Sequence, residues 1–62
     1  MEALREYMKA TGINQVELAK RVGVSATQMN HWLRKRRAPS VTNLKHISEK
    51  TGIKLEKLAE DL

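Results

Sequence analysis

The strongest constraint on this chain is a corner at Gly23. An apolar-periodic run of Val16, Leu18, Ala19 and Val22 leads up to it, and Val24 and Ser25 follow. Helices commonly stop at a glycine in the left-handed conformation, which any residue carrying a Cβ enters at a cost. Ser25 is a good N-cap, because its hydroxyl can accept from the free N–H groups of a following helix. One helix therefore ends at Val22 and another begins at Ala26, with almost nothing between them. So short a link makes the two helices cross steeply. Ala19 supplies the small residue that a close crossing needs, and Val24 plugs the gap. Met29 and Trp32 lie three apart and face back onto the core. The outward face of the second helix is then Ala26, Thr27, Gln28, Asn30, His31, Arg34 and Lys35, almost all hydrogen-bonding or cationic.

At this point INQVELAKRVGVSATQMNHWL followed by RKRRAPS resembles the Cro/cI-type (XRE-like, lambda-repressor-like) helix-turn-helix, aligned without a gap. The residues that carry the likeness are Gln15, Ala19, Gly23, Val24, Met29, Trp32 and Pro39-Ser40. The resemblance covers nearly the whole chain. It implies an all-α, five-helix, lambda-repressor-like domain over residues 1–62, with the helix-turn-helix at helices 2 and 3. It also implies sequence-specific double-stranded DNA binding by a transcriptional regulator, a phage or prokaryotic repressor, with residues 26–36 as the major-groove helix. Base contacts carried over by position fall on Ala26, Thr27, Gln28 and His31. Gln28 is able to pair with adenine N6 and N7, Thr27 to bond or offer its methyl to thymine, and Ala26 to touch only a thymine methyl. His31 can donate or accept according to its protonation. Phosphate contacts fall on Asn14, Gln15, Arg34, Arg36 and Asn43, with Thr42 and Lys45 as further candidates. Asn30 reads as ordinary solvated surface.

Charge supports the same face. The formal charge is +5, but residues 18–48 carry seven cations and no acid, while each flank nets −1. A one-sided positive field draws in polyanions. A run such as Arg34, Lys35, Arg36 and Arg37 is usually just a solvated face, and cations also suit a helix C-terminus.

The other elements follow in order. Residues 2–11 read as a first helix with Leu4, Tyr7 and Met8 on one face, stopped by Gly12 and locked by Ile13. Asn14 with Glu17 three residues on matches a capping box. The third helix runs from Ala26 to about Arg36. Ala38 and Pro39 break it, and Ser40 caps a fourth helix over Val41 to Lys50 with Val41, Leu44 and Ile47 buried. Thr51 and Gly52 end that one. A fifth covers about Lys54 to Leu62, with Ile53, Leu55, Leu58 and Leu62 as its apolar positions; in the resembled family this end commonly forms a two-fold contact, so a weak homodimer through it is expected.

Two departures from the family pattern stand out. The family often has Glu-Asn-Gly where this chain has Leu33-Arg34-Lys35, so the helix either runs on or ends in a strained turn. Many members also pair that Glu with an Arg in helix one; the matching positions here, Leu33 and Met8, are both apolar. A buried pair can be exchanged whole for packed hydrophobics, whereas losing one end alone is costly. Met8 and Leu33 are therefore expected to touch.

Other function classes fit poorly. There is no cysteine, no clustered carboxylate pair beside a histidine and no phosphate-cradling glycine loop, so an enzyme, a metal site or a cofactor is not expected. His46 reads as surface. Tyr7 and Trp32 are the only aromatics, too few for the stacking platforms of a single-strand binder. Neither a membrane-length apolar run nor a secretory pattern is present, which points to the cytoplasm and no membrane partner. Two alternatives stay open: an antitoxin-like protein-interaction module of the same fold, and a non-specific nucleic-acid binder held by charge.

Overall fold

The computed structural model describes residues 1–61 and contains five helices: α1 (Glu2–Thr11), α2 (Gln15–Val22), α3 (Ala26–Leu33), α4 (Val41–Thr51) and α5 (Leu55–Glu60). No strand occurs among the described residues. Helix α2 packs against both α3 and α4, α4 against α5, and α1 against α3. The body measures 23 × 21 × 18 Å, so every helix lies close to one shared core.

Local chemistry sets the boundaries. Asn14, Ser25 and Ser40 each accept a hydrogen bond from the backbone N–H three residues on, Glu17 (2.8 Å), Gln28 (3.1 Å) and Asn43 (3.2 Å), so α2, α3 and α4 all begin where a side-chain cap is available. The Asn14 cap is half of a capping box: no bond returns from the Glu17 carboxylate among the described residues. Gly12, Gly23 and Gly52 end α1, α2 and α4, and at Gly23 the left-handed φ of 87° turns the chain into α3. The Ala19 carbonyl accepts from both Gly23 N–H and Val24 N–H there, at 2.9 and 3.0 Å. A Cβ at Gly23 would meet nothing within 4 Å, so the glycine is required by its backbone angle and not by crowding.

The core gathers Leu4, Leu18, Ala19, Val22, Met29, Trp32, Leu33, Leu44, Ile47 and Leu58, with Met1 and Ala3 closing one end. Tyr7, Met8, Ile13, Val24, Ile53 and Leu55 pack around it, half-buried. Met29 and Trp32 do face inward, at 0% and 2% exposure. Leu33 is buried and Met8 packs on the same cluster, so the apolar exchange at these two positions joins α1 and α3 to one core.

Two apolar positions differ from the expectation. Val41, expected in the buried stripe of α4, is 67% exposed, and Val16 in α2 is also exposed. At about 100° per residue, Val41 is about 60° round the helix from Leu44 but about 120° from the fully buried Ile47, at the margin of that side, and it sits in the first turn. Val16 is likewise off the Leu18, Ala19 and Val22 face. In α5, Lys54 is the N-cap and not the first helical residue. Leu58 is fully buried, Ile53 and Leu55 are half-buried, and Leu62 lies outside the described residues.

The end of α3 is a further correction. The helix stops at Leu33 and does not reach Arg36. Lys35 takes the left-handed conformation, with φ 59°. Its N–H bonds to Trp32 C=O (3.2 Å) and the Arg36 N–H reaches back to His31 C=O (2.9 Å), the paired pattern of a Schellman cap. The carbonyls a longer helix would need are already in use. Trp32 C=O also accepts from the N-terminal ammonium at 3.3 Å, and Leu33 C=O accepts from the same ammonium (3.5 Å) and from the Arg5 guanidinium (3.0 Å). Both are cations at a helix C-terminus, where the dipole favours them. The Asp61 carboxylate completes this end of the molecule by accepting from the Ala3 N–H at 2.7 Å, the cap that α1 lacks locally.

Candidate nucleic-acid interface

Helix α3 supplies the centre of the site. Met29, Trp32 and Leu33 take the buried side of α3, and the rest of its surface is exposed or half-buried. Ala26, Thr27 and Gln28 are exposed, and His31 is half-buried one turn further on. Thr27, Gln28 and His31 line a single open groove together with Ser25, Trp32, Arg37, Pro39, Ser40 and Asn43. Its opposite wall is the loop after α3 and the first turn of α4. Pro39 is buried and Ser40 caps α4, so the loop is drawn tight against α3 and carries Arg37 with it.

The groove unites three of the four base-contact candidates with one phosphate candidate, Asn43. Ala26 lies outside it, in a shallow depression shared with Gln15, Thr27 and Asn30. Thr27 belongs to both hollows and makes them neighbours. Arg34 and Arg36 are exposed but line neither; Arg34 is the C-cap of α3. Arg37, which sequence reasoning left undistinguished within its run, is the arginine on the groove wall. No sequence signal set it apart; the structure does, because Pro39 two residues later is buried and holds that part of the loop.

Two phosphate candidates already have partners within the protein. The Asn14 side-chain oxygen caps α2. Gln15 is half-buried; its Nε2 donates to the Ala26 carbonyl at 3.4 Å, and its Oε1 accepts from Asn30 Nδ2 at 3.4 Å. Asn30 is accordingly half-buried and engaged, in contrast to the solvated surface expected of it. Arg21, within the cationic stretch, donates to the Tyr7 hydroxyl at 3.0 Å and ties α2 to α1. Thr42, Lys45 and His46 are exposed on α4.

No group of three or more His, Cys, Asp or Glu able to hold a metal occurs among the described residues. No acid lines either hollow. No helix among those residues is long and apolar enough to cross a membrane.

Two crossed helices with a glycine corner, a polar outward face on the second and arginine beside it define a helix-turn-helix domain of the DNA-binding kind. The model of the helix-turn-helix family matches residues 4–58, and the chain belongs to that family, as a Cro/cI-type (XRE-like) DNA-binding domain of transcription regulators. No curated protein and no solved structure matches it.

Proposed function

We propose that this domain reads a specific double-stranded DNA site as a repressor of phage or prokaryotic type, with α3 in the major groove. Thr27, Gln28 and His31 are the base-reading set, Ala26 touches a thymine methyl at its edge, and Arg37 and Asn43 hold the flanking sugar–phosphate backbone. Gln15 contacts the backbone on the other side of α3. Arg34 and Arg36 add charge from the loop. The observation that carries this reading is the groove in which Thr27, Gln28 and His31 stand together beside Arg37 with no acid among its lining residues. Their chemistry suits base edges: a glutamine amide matches adenine in the major groove, and a hydroxyl with a methyl suits thymine. A cation alongside fixes register on phosphate without sequence information.

A homodimer reading two half-sites about one helical turn apart extends the same proposal. Random-site selection on duplex DNA tests it. The expected result is a defined consensus with two inverted halves. Enrichment of no sequence at all, with binding governed by salt alone, would leave only a charge-driven, non-specific binder.

A further inference from the structure

We infer that Asp61 limits the domain's affinity for duplex by competing with phosphate for the Arg37 guanidinium; this rests on the proposed duplex reading. Behind the loop that follows α3 lies a second, smaller hollow, lined by Met1, Trp32, Lys35, Arg37, Ala38 and Asp61. Trp32, Arg37 and Ala38 line the groove as well, so they form the wall between the two. The lining of the groove includes no acid, and that of the hollow includes one, Asp61. Arg37 therefore has an anionic partner on one side of the wall before any nucleic acid arrives on the other.

Only the side chain of Arg37 is at liberty to choose between them. Its backbone N–H bonds to His31 C=O at 3.5 Å, and Pro39 two residues on is buried. Arg37 itself is exposed, and the ion pair formed among the described residues joins Lys57 to Glu6, not Arg37 to an acid. Asp61 is the fixed member. It is half-buried, and its Oδ2 accepts from the Ala3 N–H at 2.7 Å, which pins the carboxylate to the start of α1. A guanidinium grips carboxylate and phosphate with the same fork of donors. Seated on Asp61, it is turned away from the groove, and it must leave that seat to reach a phosphate. The share of molecules in which Arg37 is so held weakens the apparent affinity.

The test measures affinity for the selected duplex and for a random-sequence duplex at fixed salt, with Asp61→Asn, Arg37→Ala and the pair. Asparagine keeps an oxygen for the Ala3 N–H, and thermal melts of each free protein report on folding. Glu60→Gln is the charge control: it removes the same charge one residue away, and Glu60 lines neither the groove nor the hollow. An exposed ion pair shifts an equilibrium constant by about two- to fivefold. Asp61→Asn should tighten both duplexes by about that much beyond Glu60→Gln, and the extra gain should vanish in the Arg37→Ala background. An equal gain in both backgrounds would reduce Asp61 to general charge repulsion and overturn the inference, as would no gain at all. Nuclear magnetic resonance of the free wild type supplies a reading that needs no variant to fold. The Arg37 Nε–H should exchange with water more slowly than those of Arg34 and Arg36; equal rates would also overturn the inference. If the wild-type domain bound neither duplex, the duplex reading would fail and the inference with it, a result told apart from the others because the exchange comparison needs no DNA.

Discussion

Single residues set the two sharpest features of this chain. Lys35 occupies a left-handed position that the family often gives to glycine, and a side chain there costs roughly 1–2 kcal/mol. Lys35→Gly should therefore stabilise the domain by about 1 kcal/mol, read as a higher midpoint in urea. Gly23 is the mirror case. Its surroundings have room for a methyl, so Gly23→Ala should cost about 1–2 kcal/mol from the backbone angle alone. The N-terminal ammonium is a third residue-scale device. Burial lowers its pKa below the ordinary 8.0, against the pull of Asp61, with Lys35 and Arg5 adding to the lowering. The unfolded chain then holds more protons than the folded one in the window below pH 8.0, so this group makes stability rise as pH climbs through that window. Acetylating the α-amine should remove that part of the slope in melting curves taken between pH 6 and 8.

At the scale of elements, the helix starts were legible and the helix ends less so. Asn14, Ser25 and Ser40 announce α2, α3 and α4 because a cap is a short-range bond between residues three apart. Gly12, Gly23 and Gly52 announce three of the ends for the same local reason. The end of α3 was legible only as a choice between a longer helix and a strained turn; the turn forms at Lys35, and partners distant in sequence, Arg5 and the N-terminal ammonium, add bonds to the carbonyls of Trp32 and Leu33. The same holds for Asn30, whose partner Gln15 sits on another helix. Arg37 was likewise visible only once the loop was seen folded along α3 onto Pro39. Removing the cap of α3 by Ser25→Ala should cost about 1 kcal/mol and loosen the turn that carries Thr27 and Gln28. Hydrogen exchange of the first α3 amides would show it. Arg37→Ala should weaken binding to all duplexes alike and reduce the salt slope by about one; an unchanged slope would remove it from the backbone contacts.

The whole molecule joins an inward-facing core to an outward-facing charge. A chain of this size has a thin margin of stability, so the core positions of α3 matter as much as its outer ones: Met29 and Trp32 hold the helix on the core while Thr27, Gln28 and His31 line the groove. Seven cations without an acid span residues 18–48, which steers the domain toward a polyanion, while the proposed function assigns base discrimination to the three side chains in the groove. These two contributions separate cleanly in one experiment. Affinity is measured for the selected duplex and its single-base variants, with wild type and Gln28→Ala side by side at fixed salt. The account predicts that wild type loses roughly 1–3 kcal/mol at the base pair read by Gln28, and that Gln28→Ala loses this preference while binding unrelated duplex as before. Discrimination that survives intact in Gln28→Ala would contradict the placement of the reading face on α3.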